Sequence, residues 1–292
     1  MNKGLTLSMI FEAESGNYGE GFGNISTLKK ITRGDGNTYT YLSRQALRYN
    51  IIQQMNADNT PVLAEGSGDK KVIQFAPDAE IDKYPEIDLF GYMKTKKGDG
   101  AATRNAVVRL SNAISLEPYN SDMDFLTNMG LANRINENNS IAQNEIHKSF
   151  YSYTITIDLN NVGIDVISNE KTIEISNIEK SKRVNDLLKT IKFLYRDIKG
   201  RRENLAPIFA IGGIYETHNP LFMNRLHVNK SKLDINMINN ILDLDNDIKE
   251  STGIGYMDGS FNNDKEIEKL GTMKMGELFE KLSKNIEEYY GN

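Results

Sequence analysis

The chain predicts an α+β fold, on three observations. β-type runs and helical stretches follow one another as strand, helix, strands, helix, strand. Residues 151–159 place Tyr151, Tyr153, Ile155, Ile157 and Leu159 on one face, with serine, threonine and aspartate between them, which is the period of a half-buried strand. Residues 181–199 carry Val184, Leu187, Leu188, Ile191, Leu194, Tyr195 and Ile198 as one stripe at helical spacing. The chain has 292 residues, 39% of them apolar, enough for a packed core. The element order suggests a sheet domain of ferredoxin-like type, elaborated by loops.

Strands are expected at 5–12, 72–75, 88–93, 106–116, 151–159, 171–177 and 207–217. Helices are expected at 43–57, 181–199, 233–245 and 275–290. The first strand is an apolar run that meets a glycine-rich loop, residues 15–24. A basic segment follows, and the first helix opens at Ser43-Arg44-Gln45-Ala46-Leu47-Arg48. In the 181–199 helix Ser181 is the expected N-cap, and Lys182, Lys189, Lys192, Arg196 and Lys199 fall on a separate stripe. In the last helix Met275, Leu278, Phe279, Leu282, Ile286 and Tyr289 form the buried face. Residues 58–71 and 94–105 are rich in Gly, Asp, Lys and Thr, and 117–149 is polar and Asn-rich. These read as long insertions between elements of one core.

Composition narrows the chemistry. Cysteine is absent, which excludes disulfides, thiolate metal sites and cysteine nucleophiles. The three histidines, His147, His218 and His227, form no metal-type pair. No apolar run approaches the ~20 residues of a membrane span, and the N-terminus does not read as a signal peptide. A soluble cytoplasmic protein is expected. The net charge of −5 argues at first against nucleic acid, but its distribution matters more than its sum. Lys29, Lys30, Arg33, Arg44 and Arg48 face one acid, Asp35. Between Lys94 and Arg109 five bases face Asp99, and between Lys182 and Arg202 eight face Asp186 and Asp197. From Asp234 onward thirteen acids face six bases. Each basic run also fits a solvated face.

Several motifs fail. Gly19-x-Gly21-x-Gly23 follows a strand, but the dinucleotide fingerprint needs glycine where Asn24 stands, and no helix opens after it. A phosphate-binding P-loop lacks its GK[ST] end. Gly21-Phe22-Gly23 echoes an aromatic RNA-binding strand, yet Glu20 stands at its basic position and Asn24 at its stacking position. Asp122 and Asp124 form a carboxylate pair without the partners of a two-metal site. His147 lies near Glu145 with no nucleophile in a triad pattern.

One combination holds. A strand of unpaired nucleic acid needs cations and close main-chain amides along its backbone, and apolar or aromatic platforms for its bases. A glycine loop lets phosphates approach N–H groups. A serine at a helix start followed by arginines four apart sets donors along one stripe. Ser43, Arg44 and Arg48 fit that need, and Asn17 and Tyr18 add a hydrogen bond and a stacking face. Arg44 and Arg48 equally fit a surface salt bridge, and Tyr18 a core position.

Phe11-Glu12-Ala13-Glu14-Ser15 with Asn17-Tyr18-Gly19, then Ser43-Arg44-Gln45-Ala46-Leu47-Arg48, then Asp88-Leu89-Phe90-Gly91-Tyr92-Met93, together resemble the DevR family. Arg104-Asn105-Ala106-Val107-Val108-Arg109-Leu110-Ser111, Ser115-Leu116-Glu117-Pro118 and Ile211-Gly212-Gly213-Ile214 extend the resemblance over about residues 5–217. That family supplies the crRNA-binding backbone subunit of type I-B CRISPR Cascade complexes. The resemblance implies one right-hand-shaped domain over 1–292 with a modified ferredoxin-like (RRM-like) palm. The palm falls at about 1–57, 72–93, 106–116 and 151–250. Fingers fall at 58–71 and 94–105, a thumb at 117–149, and an acidic helical region at 251–292.

The implied function is non-catalytic. Copies stack as a helical filament on the crRNA, bind other Cascade subunits, and present the guide for pairing with a target DNA strand in antiviral defence. No membrane, metal or cofactor is implied. Residues carried over as guide contacts are Asn17, Tyr18, Asn24, Ser43, Arg44 and Arg48, with Lys94, Lys96, Lys97 and Arg104 after the Leu89-Phe90-Gly91 motif. Met123, Phe125, Leu126 and Met129 are the wedge candidates of the thumb. Two alternatives stand beside this: a metal-dependent target-RNA-cleaving subunit using Asp122 or Asp124, and a regulatory interaction protein that binds no nucleic acid.

Overall fold

The first strand, Gly4–Ala13, is the spine of the main sheet. It pairs antiparallel with Ser149–Asp158 on one side and with Phe209–Tyr215 on the other. Val108–Leu110 and Ala113–Ser115 pair in turn with the far side of Ser149–Asp158, also antiparallel. The helix Arg44–Gln54 follows the first strand, and Asn177–Lys192 follows Ser149–Asp158. The central elements therefore read β-α-β-β-α-β, with the strands in spatial order fourth, first, third, second. Thr38–Leu42 and Lys30–Thr32 extend one edge, and Gly253–Tyr256 and Met273–Lys274 the other. The structure, a computed structural model, describes residues 3–19, 21, 23–66, 71–96, 100–168 and 171–291, without the side chains of Lys96 and Ser168. Glu20, Phe22 and Lys97 lie outside the described residues.

Both faces of the spine are covered, so its run is apolar almost throughout. Leu5, Leu7, Met9 and Phe11 point to one face, against Leu47 and Ile51 of the first helix, Leu187 and Ile191 of Asn177–Lys192, and Leu278 and Leu282 of the C-terminal helix Met275–Tyr290. Phe11 sits 5.8 Å from both the Tyr151 and Tyr153 rings. Each such aromatic pair adds about 0.5–1.5 kcal/mol beyond its buried area. Ile10, Phe209 and Ile211 point to the opposite face, which Phe222, Leu226 and Ile238 cover. On that face Ser8 and Thr154 satisfy each other at 2.7 Å. The glycine pair of the Ile211-Gly212-Gly213-Ile214 run has a steric cause: a side chain at Gly212 would strike the Thr6 carbonyl, and one at Gly213 the Ser251 carbonyl.

Several expectations are corrected. Residues 88–93 are not one strand: Pro85–Phe90 is a helix with Pro85 in its first turn and Glu86 and Asp88 favouring its N-terminus. The long helix begins at an N-cap Ser176, whose Oγ accepts from Glu179 N at 3.3 Å, and Ser181 is buried inside it. It ends at Lys192, so the stripe Lys182–Lys199 breaks: Tyr195–Ile198 is a strand paired with Arg201–Asn204. Residues 94–105 belong to a hairpin, Tyr92–Lys96 with Gly100–Arg104. Residues 117–149 form an arm: strands Asp122–Thr127 and Ile141–Ile146 with the helix Met129–Ile135 at the tip. The acidic C-terminal region is not all helical: Gly253–Tyr256 joins the sheet, while Met275–Tyr290 packs into the core.

Candidate nucleic-acid interface

Ser43 caps the first helix, its Oγ accepting from Ala46 N at 3.3 Å. Asn17, at the start of the glycine loop, locks onto that cap. Its side-chain oxygen accepts from Ser43 Oγ at 2.9 Å and from Ser43 N at 3.4 Å. The loop is thus tied to the helix start. Its backbone is also paired: Asn17 N donates to Tyr41 O at 3.0 Å, Lys29 N to Asn17 O at 2.6 Å, and Gly19 N to Thr27 O at 2.8 Å. Gly21 is required sterically, because a side chain there would collide with the Ile25 carbonyl.

The same loop enters the arm. Ile25–Ser26 pairs with Ile141–Ile146 as a third, parallel strand of the arm's sheet. Asn24, itself exposed, accepts from Gln143 N at 2.9 Å. Glu145 pins the junction: its carboxylate accepts from Leu28 N at 2.7 Å and from Lys30 Nζ at 2.6 Å. Tyr18 OH donates to the Glu145 carbonyl at 3.0 Å. Loop, arm and helix start form one rigid junction rather than three separate features.

Beyond this junction the arm presents apolar side chains to solvent. Phe125, Leu126 and Met129 are exposed, as are Leu131, Ile135 and Ile141, while Met123 is half-buried. Asp122 is exposed and Asp124 half-buried, two residues apart on one strand. Among the described residues no group of three or more His, Cys, Asp or Glu side chains is placed to hold a metal ion.

The candidate cations divide. The Arg44 backbone N donates to Asn112 Oδ1 at 2.9 Å, and its exposed guanidinium has no ion pair among the described residues. Arg48 turns toward Pro85–Phe90. It pairs with Glu86 at 3.5 Å and lies 5.0 Å over the Phe90 ring, where burial pulls its pKa down against the opposing pull of Glu86. Lys94 is corrected as a phosphate contact: its ammonium is buried, bonded to the Ala79 carbonyl and 4.0 Å from the Tyr92 ring centroid, and desolvation lowers its pKa. Arg104 is corrected likewise. Its guanidinium binds Asp88 Oδ1 at 2.7 Å and the carbonyls of Ile164 and Asn161. Lys96 has a described backbone only, in Tyr92–Lys96.

Sequence reasoning missed the hairpin Tyr195–Ile198 with Arg201–Asn204, which reaches the glycine loop. Lys199 at its turn donates to Ser26 Oγ at 3.1 Å and lies 5.0 Å over the Tyr18 ring. Arg201 pairs with Glu14 at 2.8 Å. Glu203 accepts from Ser15 N at 3.1 Å and pairs with buried Arg196 at 2.6 Å. The turn signal Lys199-Gly200 was available in the sequence, both residues having positive φ.

This fold is that of solved subunits of RNA-guided surveillance assemblies. A chain of a "CRISPR RNA-guided surveillance complex, pre-nicking" superposes with a TM-score of 0.63 at 9% identity, covering 97% of this chain and 100% of that one. A chain of a second "CRISPR RNA-guided surveillance complex" gives 0.53 at 11% identity, covering 88% and 90%. At such identities the likeness is one of fold. The sequence supplies the family: residues 5–234 match the family described as CRISPR-associated negative auto-regulator DevR/Csa2, and the chain belongs to it. No curated protein matches the sequence. No helix among the described residues is long and apolar enough to cross a membrane.

Proposed function

We propose that this chain is a non-catalytic guide-RNA-binding subunit of a type I-B CRISPR surveillance complex. It polymerises along the crRNA and presents the guide to a target DNA strand. The observation that carries this reading is the junction just described, in a member of the DevR/Csa2 family. An N-capped helix start, a glycine loop locked to it through Asn17, and the exposed guanidinium of Arg44 meet at the root of an arm with an apolar surface. The central β-α-β-β-α-β order supports a ferredoxin-like palm. The arm supports the role of thumb, and the hairpins Val62–Glu65/Val72–Phe75 and Tyr92–Lys96/Gly100–Arg104 that of fingers.

Assembly follows from two separate apolar surfaces on one chain. Phe125, Leu126 and Met129 are exposed on the arm, and Val62, Ile73 and Met93 on the hairpins. A contact between unlike patches of identical copies is head-to-tail, and it builds a helical filament when the rotation does not close. Base pairing then reads the sequence while protein holds the backbone.

The test co-expresses the chain with a guide RNA, images the purified particle by negative stain, and titrates RNA against salt. Helical particles are expected. Arg44→Ala is expected to weaken binding irrespective of sequence and to reduce the magnitude of the salt slope by ~0.7. Particles without RNA, or an unchanged slope, overturn the assignment. Intact complementary RNA after incubation with magnesium is the expected result for a subunit without nuclease activity.

A further inference from the structure

The basic run from Lys182 to Arg202 takes no part in the arm-and-cap site beyond the hairpin turn. The fold sorts its cations. Lys182 pairs with Asp186 at 2.9 Å, Arg183 binds buried Asp88 at 2.9 Å, and Arg196 and Arg201 are held by Glu203 and Glu14. Two of the remaining cations, Lys192 and Lys199, stand beside aromatic rings, as does Arg202, which Asp197 also holds. Lys192 Nζ lies 5.4 Å from the Phe193 centroid, Arg202 4.7 Å over Tyr195, and Lys199 5.0 Å over Tyr18. Two cation–aromatic pairs lie within the eleven residues 192–202, and Lys199 of the same stretch makes a third with Tyr18, against a usual frequency of one per ~70–80 residues.

Two of these rings line a groove of roughly 830 Å³ between the C-terminal ends of the first and the long helix. Phe193 is 64% exposed and Tyr195 38%. Tyr49 of the first helix, also 64% exposed, lines it with them. The carboxamides of Gln53 and Asn56 belong to the same wall, as does Lys189. The wall's acids are already matched: Asp186 by Lys182, and Asp197 by Arg202 at 2.8 Å. Arg196 is held by Glu203, so Lys189 is the wall's cation with no ion pair among the described residues.

We propose that this groove binds unpaired bases of single-stranded nucleic acid. Exposed ring faces take stacked bases, carboxamides satisfy base edges, and Lys189 meets a flanking phosphate. A protein hot spot would instead call for an apolar, water-excluding pocket, whereas this wall is rich in carboxamides and charge. The hairpin from Tyr195 to Asn204 joins the groove to the glycine loop through Lys199 and Tyr18, so one strand can run from one to the other. The inference rests on the reading of the chain as a nucleic-acid binder and adds a stacking contact to it.

The test uses the full chain with fluorescein-labelled oligo(U) and oligo(dT), and with oligo(U) carrying 5-iodouridine for cross-linking. Cross-links at Tyr49, Phe193 or Tyr195 are expected. Phe193→Ala and Tyr49→Ala are each expected to weaken oligo(U) about 5- to 100-fold, and Phe193→Trp to retain binding. Lys189→Ala is expected to flatten the salt slope by ~0.7. Equal affinity for oligo(dT) supports a stacking site open to either sugar, and a preference for oligo(U) supports RNA. Wild-type affinity in the aromatic variants, with weakened binding in Arg44→Ala, overturns the groove while the cap site stands. Altered self-association without RNA at unchanged affinity assigns the groove to protein and overturns it too. A wild-type chain that binds neither oligonucleotide overturns both readings.

Discussion

Asp88→Asn tests how the hairpin Tyr92–Lys96/Gly100–Arg104 is held to the sheet domain. The Asp88 carboxylate is fully buried and accepts from three elements: Arg104 at 2.7 Å, Gly163 N at 2.8 Å and Arg183 at 2.9 Å. The remaining guanidinium donors are spent on Ile81, Asp82, Asn161, Ile164 and Glu179. Two cations therefore meet at Asp88 with almost no access to water, Arg183 also reaching the partly exposed Glu179: the side chains of Arg104 and Arg183 are 7% and 2% exposed. Asparagine keeps the volume and leaves no cavity, so the change isolates charge. It removes the carboxylate partner of Arg104 and one of the two that Arg183 has, and turns one acceptor into a donor facing a donor. Breaking a buried pair in this way costs about 3–5 kcal/mol. At ~2–4 °C per kcal/mol for a domain of comparable size, Tm should fall by roughly 6–20 °C. Urea unfolding followed by circular dichroism measures the loss, and Arg183→Met in the Asp88→Asn background should recover part of it through coupling. A loss below about 1 kcal/mol would refute the reasoning.

Burial holds His147 below its usual 6.5, against the opposing pull of Glu117, with Thr40 Oγ at 2.8 Å from its Nδ1. Below that pH the unfolded chain binds a proton that the folded chain resists, so stability should fall on acidification, and His147→Gln should flatten this acid-side slope in urea midpoints between pH 7 and about 5.5. An identical slope in the variant would exclude His147 as its source. Gly21→Ala should displace the loop from Ile25 and weaken RNA binding several-fold, while Tm, set by the core, changes by less than roughly 2 °C. Phe125→Ser with Leu126→Ser should leave monomer stability unchanged, since both side chains are exposed, but shorten assemblies on guide RNA in analytical ultracentrifugation; filaments of unaltered length would remove the arm from the assembly contact.

Much of the sheet domain was legible because its signals are local. The first strand, its Ser43-capped helix, the strand around Tyr151–Leu159 and the helix Met275–Tyr290 each declare themselves by periodicity or a cap. Even the misplaced cap was readable, since Ser176-x-x-Glu179 has the spacing of a capping box. The resemblance placed a thumb at 117–149, but the strands and helix inside the arm were not legible. Its strands leave Phe125, Leu126 and Ile141 in solvent, so no alternation of burial marks them. The long helix was read past its end because Tyr195 and Ile198 continue the stripe, and the buried Arg196–Glu203 pair that fixes a strand there spans seven residues of chain.

The cations show the same division. By itself the sequence determined the family and the apolar spine, because these depend on neighbours in the chain and on residue type, whereas the Asn17–Ser43 bond joins residues 26 apart. Only the tertiary structure decided which positive charges remain available. Arg44 and Arg104 sit in equally basic runs, yet one guanidinium stands in solvent and the other is enclosed around Asp88. The physical reason is that a charge's availability is set by partners brought from distant segments, and a linear charge count contains no information about them.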